Sequence, residues 1–89
     1  MDRADALVNW DDEDDPRGNI QHIANNGLTP DEVESVLLDP DATEGRSRSS
    51  GRPLVFGYTY TGRYIVVIYE VFEDDPPIIR PVTAYEVDD

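Results

Sequence analysis

Residues 54–72 constrain this chain more than any other stretch. Leu54, Phe56, Tyr58 and Tyr60 alternate with Val55, Gly57, Thr59 and Thr61, which is the period of a pleated strand. Thr61-Gly62 supplies a turn. Arg63 to Phe72 then runs β-branched or aromatic almost throughout, as a central strand covered on both faces does. A central strand needs neighbours and cover, and 89 residues leave room for one small domain to provide them.

Two helices are predicted upstream. Thr29-Pro30-Asp31-Glu32 reads as a capping box with proline at the first helical position, and Leu28 and Val33 have hydrophobic-staple spacing. Val33, Val36 and Leu37 form the face of that helix to be buried, and Asp39-Pro40 ends it. Before it, Ile20, Ile23, Ala24 and Gly27 fall on one helical face, and Gly27 doubles as the stop. Asp15-Pro16 is the expected start of this first helix.

The remaining segments complete the order. Residues 1–6 are polar and expected to fray, and residues 7–87 make one domain. Leu7 to Trp10 suits a short first strand. Residues 39–53 suit a loop or one short edge strand around Ala42 to Arg46. Ile78 to Val87 is a last strand, where Pro81 calls for an edge position or a bulge. Helices come early and strands late, so the expected class is α+β. The expected architecture is two N-terminal helices on one face of a three- to five-stranded twisted antiparallel sheet, in β-α-α-β-β-β-β order. Its core would hold Ile20, Ile23, Val33, Leu37, Phe56, Val66 and Ile68.

Composition narrows the chemistry. There is no cysteine, so neither a disulfide framework nor a cysteine-based zinc site is available. The longest apolar run, Ile65 to Ile68, is far too short for a membrane span, and nothing resembles a signal peptide. A soluble cytoplasmic protein is the expectation. The net charge of −13 argues against a general nucleic-acid binder, because phosphate contacts need a basic footprint. That charge is uneven: residues 1–44 carry −11, residues 45–72 carry +3 and residues 73–89 carry −5. All seven basic residues are arginine, which adaptation to salt or a biased composition would also produce.

Few residues offer chemistry. His22 is the sole histidine and the one side chain whose ordinary titration lies near neutrality. It is either a surface hydrogen-bonding residue or a proton-transfer group, and it lacks a second histidine for metal binding. Asp11 to Asp15 lacks the glycine and spacing of a calcium loop. Arg46 to Arg52 could meet phosphate in a flexible loop but is not a P-loop. Five tyrosines on or near the strands serve either as core and cross-strand pairs or as base-stacking platforms.

Several short motifs fall in one order: Trp10-Asp11, Asn19 to Ile23, Asn26 to Val33, Asp39-Pro40-Asp41, Gly51-Arg52, Gly62-Arg63 and Arg80 to Ala84. That order resembles the BrnT-type toxins of bacterial toxin–antitoxin pairs, which have the RelE-like fold. The resemblance implies a cofactor-independent ribonuclease that cuts mRNA and is silenced by a bound antitoxin. In such an enzyme the 2′-hydroxyl attacks the neighbouring phosphate, cationic donors stabilise the charge that develops, and a general acid or base moves the proton. Carried over by position, Arg52, Arg63 and Arg80 would be the phosphate-contacting set, with His22 as a proton-transfer candidate. RNA or the ribosome, and a cognate antitoxin, are the implied partners.

The chain departs from that pattern. Tyr85 stands where the family's Arg-x-x-Ser-Ala-Arg ending has its last arginine, and Asn26 where relatives often carry histidine. The basic C-terminal helix of active toxins has no counterpart before Asp88-Asp89, and the net charge is opposite to that of ribosome-directed toxins. An alternative follows: a non-catalytic protein-binding module of the same fold. The catalytic reading requires Arg52, Arg63 and Arg80 to converge on one surface. The binding reading requires an exposed apolar patch rimmed by charge.

Overall fold

The alternating segment and the β-branched run become adjacent strands. In the computed structural model, which describes residues 2–88, they are β3 (Pro53–Tyr58) and β4 (Tyr64–Asp74). They follow β1 (Leu7–Val8), α1 (Asn19–Asn25), α2 (Pro30–Leu37) and β2 (Thr43–Arg46), and precede β5 (Pro77–Glu86). A 3-10 turn, Arg3–Asp5, comes before β1 and adds an element to the expected order. The five strands lie in the order β1-β5-β4-β3-β2, with β4 at the centre.

The class is α+β, but the sheet is mixed where a wholly antiparallel one was expected. β2 to β5 pair antiparallel, while β1 pairs parallel with β5 through Leu7 with Ile78 and Val8 with Ile79. The N-terminal segment runs in the same direction as β5, and the Asn9 N–H donating to the Ile79 carbonyl extends the contact. Pro81 lies inside the sheet at a bulge: the register with β4 steps from Thr83 to Pro81 between Ile68 and Tyr69. A bulge tolerates the missing N–H.

The core forms on the opposite strand phase from the one expected. Ile23 of α1 and Val33, Val36 and Leu37 of α2 join Val55, Ile65, Val67, Tyr69, Ile79 and Ala84 in one buried cluster. Phe56, Val66 and Ile68, expected in that core, belong to the other face, and Ile20 is half-buried. β4 is apolar on both faces, so alternation alone could not choose which one the helices cover. Gly57 marks the chosen face: a Cβ there would sit 3.2 Å from Val36 Cγ1.

Two local readings are also corrected. α1 starts at Asn19 and not at Asp15-Pro16, because Asp15 makes its own turn, its carboxylate accepting from the Arg17 N–H. The helix is instead capped from a distance by Asp11, whose Oδ2 accepts the Asn19 N–H at 2.9 Å. Residues 3–6 are not a frayed tail. Arg3 is 5% exposed and donates to the carbonyls of Leu37 and Asp39 at the end of α2. The capping box of α2 forms as read, with Thr29 accepting from the Glu32 N–H and Glu32 accepting from the Thr29 N–H.

Candidate functional site

β3, β4 and β5 present a second face that no described helix covers. Pairing places Phe56, Val66 and Tyr85 in one row across it, Tyr58 and Tyr64 in the next, and Leu54 and Ile68 on the other side of the first. The rings of Phe56 and Tyr64 stack with centroids 6.3 Å apart, and Tyr58 meets Tyr64 at 4.8 Å. These rings seal Val66, which is 2% exposed, while Tyr58 and Tyr85 stay 53% and 42% exposed. The result is an aromatic strip open to solvent.

A line of charge borders the strip. Arg52 enters β3 and donates through Nε to Glu70 Oε1 at 2.9 Å. Glu70 lies opposite Arg80 across β4 and β5. Arg80 in turn grips Asp11 with two parallel bonds of 2.6 and 2.7 Å. Arginine's planar fork matches a carboxylate in this two-point geometry. The order is therefore Arg52, Glu70, Arg80, Asp11, cation beside anion throughout.

The last pair is the most strongly coupled. The Arg80 hydrogen bonds, helped by the Asn19 N–H, hold the Asp11 carboxyl down to about 2 against an ordinary 3.8. Asp11 returns the effect by raising the Arg80 guanidinium above its usual value. Asn19 fastens the assembly beneath: its Oδ1 accepts the Asp11 N–H, and its Nδ2 donates to the carbonyls of Asn9 and Pro81.

Of the four residues singled out from sequence, only Arg52 and Arg80 come together, with Glu70 between them. Arg63, just before β4, lies seven residues from Glu70, about 23 Å at the rise of a strand. It serves the helical side, donating to the Gly27 carbonyl and to Glu86 at 3.1 Å and lying 3.6 Å from Glu32. Glu32 is itself buried, and the Thr61 hydroxyl bond, with help from Thr29 and Arg63, holds its carboxyl below the usual range. This polar knot ties the β3–β4 turn to the start of α2. His22 is exposed on α1 in a shallow depression with Pro16, Arg17, Gly18 and Asn25. Among the described residues, no group of three or more His, Asp or Glu side chains converges as a metal site would.

Sequence reasoning missed Glu70 and Asp11 as partners of the arginines. Glu70 is the only acid in residues 45–72. Its isolation in an apolar strand was a usable signal, because a lone acid there needs a cation nearby. Comparisons with family models, with curated proteins and with solved structures return no match to this chain.

Proposed function

We propose that the chain is a divergent BrnT-like protein of the RelE-like fold that acts by binding a protein partner and does not cut RNA. One observation carries the reading: the three arginines expected to hold a scissile phosphate are split between two sides of the sheet, and each already faces a carboxylate. A guanidinium joined to its own acid offers a phosphate little net positive charge. What the same face offers instead is aromatic surface, in Phe56, Tyr58, Tyr64 and Tyr85. Solvated aromatic patches rimmed by charge suit protein recognition, where Tyr anchors carry much of the energy. A partner of antitoxin type, with apolar anchors and net basic charge, complements a chain of net charge −13.

A second reading has one observation in its favour. Arg52 and Arg80 flank Glu70 on the tyrosine-bearing face. Two guanidiniums beside a carboxylate could stabilise the transition state in which the carboxylate takes the 2′-hydroxyl proton, the 2′-oxygen bonds to the adjacent phosphorus to give a cyclic phosphate, and the 5′-oxygen leaves with a proton from water. Purified protein incubated with end-labelled single-stranded RNA separates the two. The binding reading expects intact RNA for wild type, Glu70→Gln and Arg80→Ala alike. Cleavage by wild type that either substitution abolishes would establish the ribonuclease and sink the binding-only account.

A further inference from the structure

Among the described residues, no strand pairs with the outer edge of β2. All four of its residues, Thr43 to Arg46, are exposed. In its antiparallel pairing with β3, Gly45 opposes Leu54, and the Ser47 N–H donates to the Arg52 carbonyl. Hydrogen-bonded and non-hydrogen-bonded pairs alternate along such a ladder. Thr43, Gly45 and Ser47 therefore turn their backbone groups toward β3. Glu44 and Arg46 turn theirs outward. Pro53, which has no N–H, sits opposite Arg46 at a non-bonded position, in keeping with that phase.

Natural sheets guard such edges with proline, charged side chains (lysine above all), a bulge or extreme shortness. The other edge, β1, is guarded by shortness, with two residues. β2 has no proline, lysine or bulge, and its two charges are of opposite sign, so they do not repel a second copy of the same edge in two-fold register. It has glycine flanked by one acid and one base, Glu44-Gly45-Arg46.

We propose that this edge pairs with the β2 edge of a second copy about a two-fold axis through Gly45, joining two five-stranded sheets into one. An axis there sets Glu44 opposite Arg46 of the second copy, and Arg46 opposite its Glu44. The outward N–H and C=O groups of these residues fall at the positions that exchange backbone bonds, giving four across the axis. Each such pair also matches an acid with a base on one face of the sheet, and opposite charges across strands are favourable. Gly45 meets its own copy at the axis, in the closely spaced kind of pair, where the absence of a side chain leaves the approach open. The interface is isologous, so it closes at two copies and does not propagate.

A four-residue ladder is a small interface, so the dimer is weak and concentration-dependent. Two chains of net charge −13 also repel, and salt screens that repulsion. The surface is separate from the aromatic strip, so the dimer does not depend on what the strip binds.

Sedimentation equilibrium at about 0.3 M salt, where the screening length is short, tests the proposal over a wide range of protein concentration. A monomer–dimer equilibrium is expected for wild type. Glu44→Arg alone and Arg46→Glu alone each place like charges across the axis twice and should weaken the dimer about tenfold. The double variant Glu44→Arg/Arg46→Glu should restore it. Arg46→Pro removes an outward N–H and the guanidinium, with its bond to the Gly51 carbonyl, but no N–H that β3 uses, and should leave a folded monomer by circular dichroism. Wild type that stays monomeric at every concentration overturns the proposal. So does a dimer that is indifferent to the single reversals or survives Arg46→Pro.

Discussion

Asp11 stands in the longest acidic run of the sequence, yet its neighbours Asp12 to Asp15 are exposed and it alone is drawn into the structure by Arg80 and Asn19. Its carboxyl is held below its unfolded value, so its contribution to stability is complete above about pH 4 and disappears as the pH falls toward 2. Thermal unfolding of wild type should therefore steepen in that window. Asp11→Asn should flatten the curve there and lower the melting temperature at neutral pH. An unchanged acid limb would show that the Arg80 pair does not hold in solution. Gly18 supports the same spot: a Cβ at that position would lie 2.8 Å from Asp11 Cβ. Gly18→Ala should displace Asp11, and loss of the acid-limb slope would reveal it.

Helices and strands differ in how far their residues announced them. Thr29-Pro30-Asp31-Glu32 forms the capping box it spelled, because every partner lies within four residues. Thr29→Ala should cost about 1 kcal/mol in denaturant unfolding. The hairpin of β3 and β4 was equally legible from alternation and turn chemistry, whereas β2 was open between a loop and one short edge strand around Ala42 to Arg46. The start of α1 was not, because its cap is Asp11, eight residues away. Nor was the phase of β4, where Val66 and Val67 are equally apolar and only Gly57, lying against Val36, marks the helical side. The role of Arg3 was also hidden, since its carbonyl partners lie more than thirty residues on. Arg3→Ala would strip the last carbonyls of α2 of buried donors and should cost about 1–3 kcal/mol, read from the same unfolding curves. The charge line Arg52, Glu70, Arg80 and Asp11 depends on strand register across three strands, which sequence spacing does not supply.

At the scale of the molecule, the charge of −13 resolves into two kinds of surface. Most acids sit on exposed loops and helices, while the helix-free face carries tyrosines, arginines and the paired acids Glu70 and Asp11. Arg52, Arg63 and Arg80, the arginines expected at a scissile phosphate, each face a carboxylate within the fold. The aromatic strip of Tyr58 and Tyr85 stays exposed to solvent. The proposed function has this face bind a protein and not cut RNA. Inducing the protein in bacterial cells and following growth and bulk mRNA tests it most directly, beside Arg80→Ala. Unimpaired growth and intact mRNA are expected for both proteins. Growth arrest with loss of mRNA in wild type, relieved by Arg80→Ala, would contradict it.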